Sequence, residues 1–252
     1  SNSWPVLLVF LLVGSMQIVF EHPWFLVINK PTDLLTQAVE GIPSVQTTLV
    51  SQLFSQQPAG PTPFIGIPHR LDRVTTGVMV VARNQRALRR LSEQFAARRV
   101  TKKYHAIVES TDEVSVLENS EKQIRWVDYL RKIPDESRGE ICDASIEGAR
   151  EAILSFRKLA NQVLPDRAER FSLVEIELET GRMHQIRLQF ASRGAPVVGD
   201  TLYGSRVPWI AGEFRQPPIA LHARSLEFFH PQTAEKLFFE ADYPDFWPGT
   251  EL

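Results

Sequence analysis

Ile67 to Asn84 reads IPHRLDRVTTGVMVVARN. A polar loop, His69-Arg70-Leu71-Asp72-Arg73, leads through Thr75-Thr76-Gly77 into Gly77 to Ala82, a short apolar run that predicts a buried strand. Asn84 then stands where a helix cap is expected. Beyond it Leu88, Leu91 and Phe95 fall at i, i+3 and i+7, which predicts a helix with one apolar stripe. Arg86, Arg89, Arg90 and Arg98 lie mostly off that stripe, facing outward. A carboxylate at the mouth of a buried strand, between two arginines, is a candidate site element. A loop salt bridge is the ordinary alternative, and these residues alone leave both open.

Working outward, Trp24 to Asn29 (WFLVIN) reads as a second buried strand, stopped by Lys30-Pro31. Val45 to Phe54 suits a short helix, and the proline- and glycine-bearing stretch Gln57 to Pro68 is loop. Lys102 to Glu109 alternates, with Tyr104, Ala106 and Val108 on one face of a strand. Ser110 to Gly148 is polar and weakly patterned, which suggests hairpins or a surface excursion. Phe171 to Glu179 alternates clearly, Val174, Ile176 and Leu178 against Glu175, Glu177 and Glu179, before Gly181 breaks it. His184 to Ser192 suits a helix ended by Gly194. Leu226 to Phe229 and Leu237 to Phe239 read as closing strands. Strands dominate without strict βαβ alternation, so the expected class is α+β: one catalytic domain with a mainly antiparallel or mixed sheet, flanking helices and a central cleft.

The 252 residues, 43% apolar and 23% charged, are enough for a sizeable core and exclude a disordered chain. The single cysteine, Cys142, excludes a disulfide framework and a cysteine-rich zinc site, and suits a reducing cytoplasm. The formal charge of -2 conceals a segregation. Arg83, Arg86, Arg89, Arg90, Arg98, Arg99, Lys102 and Lys103 face only Glu93 within their own stretch, while acids gather in Thr111 to Glu121 and Val174 to Glu179. The basic stretch is a candidate track for a nucleic-acid backbone, with Arg86, Arg89, Arg90, Lys102 and Lys103 as its contacts; a solvated helix face is the alternative. Trp4 to Gly14 is an apolar run too short to span a bilayer and lacks the basic flank of a secretory signal. Residues 1–15 therefore read as an N-terminal extension ahead of a native start near Met16, with 16–252 as the catalytic domain. A further buried strand or an oligomer contact is the alternative for that run.

His69-Arg70-Leu71-Asp72, followed two residues later by Thr75-Thr76-Gly77, resembles the HRLD-x-x-S/T-S/T-G signature of the RluA-type pseudouridine synthases. Phe25 to Pro31 (FLVINKP) is similar to the family's strand ending in Lys-Pro, and Lys102 to Val108 (KKYHAIV) to its K-x-Y-x-A-x-V strand. Gly181 to Gly204 (GRMHQIRLQFASRGAPVVGDTLYG) resembles its GR-x-HQIR … GD-x-x-YG block, the most specific match. Leu221-His222-Ala223 with Phe229-His230-Pro231 resembles the closing pattern, so the likeness runs from about Ile18 to Pro248. Val74, Thr76, Met183 and Asp33 depart from the usual residues without removing one expected to do chemistry. The family's optional S4 module has no counterpart among these residues, which leaves substrate capture to the domain itself.

The resemblance implies an RNA pseudouridine synthase that isomerises uridines in rRNA, tRNA or both, without cofactor or metal, membrane or obligate protein partner, as a cytoplasmic monomer. It maps catalysis onto Asp72, entry into the space left by the flipped base onto Arg70, stacking on the uracil onto Tyr104, and the charge partner of Asp72 onto Arg187. These residue types suit the task. A planar, permanently charged guanidinium is a good intruder into a base stack, and a neighbouring arginine favours an ionised carboxylate. Whether Asp72 acts as nucleophile or as general base stays open. Ordinary roles stand beside each: a phosphate clamp for Arg70, core packing for Tyr104, a solvated helix position for Arg187. His69 and His184 read as hydrogen-bonding scaffold, since no metal-ligand spacing is present. Asp200, between Gly199 and Gly204, reads as a turn or cap residue. A catalytically silent RNA-binding protein of this fold, and a glycoside hydrolase using Asp200 and Glu179 as its second acid, are the other function classes.

Overall fold

The computed structural model describes residues 15–109, 123–162, 171–210 and 212–248. The apolar run before Met16 therefore lies almost wholly outside the described residues, as does the acidic stretch Thr111 to Glu121.

A single ten-stranded sheet organises the described residues. Its strands are β1 (Gln17–Glu21), β2 (Phe25–Lys30), β3 (Thr76–Ala82), β4 (Thr101–Glu109), β5 (Ile124–Lys132), β6 (Gly139–Cys142), β7 (Arg150–Gln162), β8 (Phe171–Leu178), β9 (Leu221–Phe229) and β10 (Lys236–Glu240). They run in the spatial order β1-β2-β3-β9-β4-β8-β7-β5-β6, and β10 pairs with β9. All pairings are antiparallel except β3 with β9, so the sheet is mixed and mostly antiparallel, as expected.

The parallel strand pairing, β3 with β9, is short. Thr76 and Gly77 face His222 and Ala223, and nothing more of β3 pairs with β9. A Cβ on Gly77 would lie 2.2 Å from the Ala223 carbonyl oxygen, and its φ is 118°, so glycine alone lets the two backbones close here. That closure joins the two halves of the sheet at the point where the Asp72 loop enters β3. The central strands β2 and β3 are apolar on both faces because both faces are covered.

Among the described residues three α-helices flank the sheet: α1 (Val45–Gln56), α2 (Gln85–Ala96) and α3 (Gln185–Ala191). Ser44 caps α1 through a capping box with Thr47, and Asn84 caps α2 by accepting from the Ala87 N–H. Leu91 of the expected stripe is fully buried, with Leu88 and Phe95 packed beside it. The polar stretch beyond residue 122 holds a hairpin, β5–β6, one of the two forms expected of it. Two elements depart from what local pattern shows. The 13-residue β7 shows no clean alternation, being covered on both faces at Ala152, Ile153 and Leu154 and bulged between Lys158 and Ala160. β4 is buried through Tyr104, His105, Ala106, Ile107 and Val108 rather than on one face alone.

Candidate active site

Asp72 lies in the loop that precedes β3, and buried groups hold that loop. The Lys30 ammonium, fully buried at the end of β2, donates to the carbonyls of Pro31 (3.0 Å), Arg73 (3.1 Å) and Thr75 (2.9 Å). Thr36 donates its hydroxyl to the Leu71 carbonyl at 2.7 Å and accepts the Leu71 N–H at 3.3 Å. The Thr75 N–H closes a turn onto the Asp72 carbonyl. The Asp72 backbone is thus gripped on both sides while its side chain stays partly exposed. Burial pulls the Lys30 pKa down to about 7, against the opposing pull of Asp72 and Asp33. Three carbonyl acceptors match the three donors of the ammonium form. Lys30→Met is expected to lower unfolding stability by roughly 2–4 kcal/mol, because the carbonyls of Pro31, Arg73 and Thr75 lose their shared donor. Urea unfolding followed by fluorescence measures it, and a loss under about 1 kcal/mol would show that water replaces the amine.

Arg187, on α3, approaches Asp72 from the opposite half of the sheet. Its Nη1 is 3.5 Å from Asp72 Oδ2, while Nε and Nη2 bind Asp200 in a bidentate pair at 2.6 and 2.8 Å. Both members of that pair are buried, Asp200 at 1% exposure and Arg187 at 5%. Burial opposes the guanidinium charge, but the Asp200 hydrogen bonds and the charges of Asp200 and Asp72 outweigh it and raise the pKa. Asp200 does open a turn, its carbonyl accepting the Tyr203 and Ser205 N–H groups, but its side chain has a further role. Its side chain makes no cap bond to the short 3₁₀ turn Thr201–Tyr203; it anchors Arg187 instead. Glycine punctuation on either side masked that role, because a bidentate pair between residues 200 and 187 leaves no mark in local spacing.

Tyr104 and Asp72 border the same cleft, about 1620 Å³ in volume. The tyrosine is 8% exposed and belongs to the core while it also lines the cleft, so both of its expected roles have a physical basis. Burial and the Asp72 charge push its hydroxyl pKa up, keeping it protonated. Arg70 is exposed on the cleft rim.

The expected backbone track is divided by the fold. Lys102 borders the cleft, whereas Arg86 and Arg89 point to solvent on α2 away from it. Arg90 donates to the Pro231 carbonyl at 2.6 Å and lies over the Trp24 ring, and Lys103 faces Glu175 at 3.6 Å. The cleft draws its remaining positive charge from Arg73, Arg98, Lys132, Arg138 and Arg182, which are scattered along the sequence. Of the two acids considered as glycosidase partners, Glu179 is held by Arg125 at 2.7 and 3.1 Å and Asp200 by Arg187. Among the described residues no group of His, Cys, Asp and Glu has the arrangement of a metal site.

His69 and His222 carry structure. Val80 donates its N–H to His69 Nε2 at 3.1 Å, and the ring stacks on Phe95. His222, opposite Thr76 at the β3–β9 contact, lies 2.8 Å from the Thr76 hydroxyl and 3.2 Å from the Ala241 carbonyl. Burial, with Lys102 adding to it, lowers the His69 pKa to about 3; burial lowers that of His222 to about 4. Both therefore bind fewer protons in the folded than in the unfolded chain, whose histidines titrate near 6.5. Stability is full above that value and falls as pH drops through the window from 6.5 towards 4. Each ring contributes about 1.4 kcal/mol per pH unit there. Urea midpoints measured between pH 7 and 4.5 check this, and replacing either histidine with Gln should flatten the slope.

The family model described as RNA pseudouridylate synthase matches residues 24–192. A ribosomal large subunit pseudouridine synthase D of Xylella fastidiosa is 35% identical, over 91% of this chain and 66% of that protein. A tRNA pseudouridine synthase C of Vibrio parahaemolyticus is 31% identical over 92% of both chains. The chain therefore spans nearly all of the second relative but only 66% of the first. The solved structure of human RNA pseudouridylate synthase domain containing 1 superposes with a TM-score of 0.67 at 26% identity, over 92% of this chain and 86% of that one. The sheet and its flanking helices are thus those of the RNA pseudouridylate synthases. The chain belongs to the RNA pseudouridylate synthase family, in its RluA-type branch.

Proposed function

We propose that residues 16–252 form one catalytic domain that isomerises particular uridines in rRNA, tRNA or both, with Asp72 as the catalytic residue. The observation that carries this reading is the carboxylate of Asp72 at the cleft, partly exposed, with Arg187 Nη1 at 3.5 Å from its Oδ2. The N1–C1′ bond of the uridine breaks, the base turns, and C5 bonds to C1′; the C5 proton leaves to solvent and N1 gains one. The change is internal and redox-neutral, so it calls for no cofactor. The cleft mouth is rimmed by cations that suit a phosphate backbone, and Tyr104 offers a ring edge to an everted base. Arg70, exposed and without an intramolecular partner among the described residues, is free to enter the vacated stack.

Release of tritium from C5-labelled uridine in rRNA and tRNA transcripts tests the reading. Catalytic release that depends on Asp72 supports it; RNA binding with no release from any transcript favours the silent RNA-binding protein. Arg70→Ala is expected to lower turnover by roughly tenfold or more while single-stranded substrates are less affected, since they need no eversion from a duplex. Equal losses on both substrates would make Arg70 a phosphate contact. A monomer working in the cytoplasm without an obligate protein partner completes the proposal. It accords with one free cysteine, and no helix among the described residues is long and apolar enough to cross a membrane.

A further inference from the structure

His184 has a backbone that needs a reason. It occupies the left-handed region at φ 51°, directly before α3, yet its side chain makes no cap bond to that helix. A non-glycine residue there is strained, and strain of this kind persists where the side chain is wanted elsewhere. The ring points into the cleft. Its Nδ1 lies 2.8 Å from the Tyr203 hydroxyl, and its Nε2 lies 3.8 Å from Asp72 Oδ2.

The Tyr203 hydroxyl also accepts the Gly139 N–H, at 3.0 Å. A tyrosine has one proton to give; turned to Nδ1, the acceptor 2.8 Å away, it selects a neutral imidazole unprotonated at that nitrogen. The remaining proton of the ring is then on Nε2, aimed at Asp72. The charged groups facing the ring are Asp72, Arg187 and Asp200; burial together with Arg187 outweighs the two carboxylates and keeps the imidazole neutral. The Arg187 guanidinium lies 5.0 Å over the Tyr203 ring, so the same tyrosine braces both neighbours of Asp72. Both of those neighbours address Oδ2, and among the described residues no hydrogen bond reaches Oδ1.

We infer that His184 is a positioning residue for Asp72: its Nε2–H, fixed in that tautomer by Tyr203, acts with Arg187 to hold Oδ2 and present Oδ1 to the nucleotide. The inference rests on Asp72 being the catalytic carboxylate. At 3.8 Å the contact is long for a hydrogen bond, and it tightens into one when the nucleotide is seated.

Three variants test it under single turnover, with RNA affinity measured in parallel. His184→Gly removes the ring and relieves the left-handed backbone, so folding is retained or improved. Its rate constant for pseudouridine formation should fall roughly 10–100-fold, with RNA affinity within about twofold of the parent. His184→Gln, whose amide donates from about the position of Nε2, should recover most of that loss. Tyr203→Phe keeps the ring under Arg187 but frees the tautomer, and should give an intermediate rate. A full rate in His184→Gly overturns the proposal, as does His184→Gln no faster than His184→Gly. A parent-like rate in Tyr203→Phe removes the tautomer lock. If instead Asp72→Asn turns over normally, it is the catalytic reading of Asp72 that fails.

Discussion

Asp72→Asn is expected to abolish pseudouridine formation, with a rate loss of at least about 10⁴-fold, while the protein folds and binds RNA as before. Asparagine has the same shape, so the loop held by Lys30 and Thr36 has no reason to move. Arg187 keeps its bidentate partner Asp200, so no buried guanidinium is stranded by the change. The cleft also loses a negative charge among Arg70, Arg73, Arg98, Lys102 and Arg182, so RNA affinity should hold or tighten. Tritium release from C5-labelled transcripts measures the rate, and filter binding at two salt concentrations measures affinity. A variant that binds normally and turns over within tenfold of the parent would remove Asp72 from the chemistry. One that neither binds nor turns over would point to a role in capturing RNA.

The second large effect is at Asp200. Asp200→Ala leaves the Arg187 guanidinium buried with two of its nitrogens unpaired and only a 3.5 Å contact to Asp72. Removing one partner of a buried ion pair destabilises by about 3–5 kcal/mol. The chain should lose that much stability, and turnover should collapse as Arg187 swings towards Asp72 or out of the cleft. A double replacement separates the two consequences. Arg187→Met with Asp200→Leu swaps the pair for apolar residues of similar bulk, which recovers most of the stability. Activity should stay absent, because Asp72 then has no cationic neighbour from α3. Urea unfolding and single-turnover rates on the same preparations decide this. Recovery of both together would make the pair purely architectural.

Much of this fold was legible in local pattern. β2, β3, β8, α1 and α2 follow from short apolar runs, clean alternation and the Asn84 cap. β7 was not legible, since a strand covered on both faces and interrupted by a bulge has neither period. The basic helix misled for a related reason. Helical spacing shows which arginines leave the apolar stripe, but not what they meet beyond it. Arg90 meets the Pro231 carbonyl and Trp24.

Local chemistry in the chain was enough to determine the α+β class, the loop bearing Asp72, the buried strand behind it, and, through motif likeness, the family with its candidate residues Arg70, Tyr104 and Arg187. Only the tertiary structure decided which groups act on which. Asp72 and Arg187 are 115 positions apart, yet the closure of β3 on β9 at Gly77 sets α3 beside the loop. The same closure makes His184 the neighbour of Asp72, while Asp200 becomes the anchor of Arg187 and Lys30, through the pairing of β2 with β3, the clasp of the loop. Side-chain type and spacing record what a residue is able to do. Which charges and donors stand within a few ångströms of it depends on strand order and backbone approach, which are settled by the packing of the whole sheet.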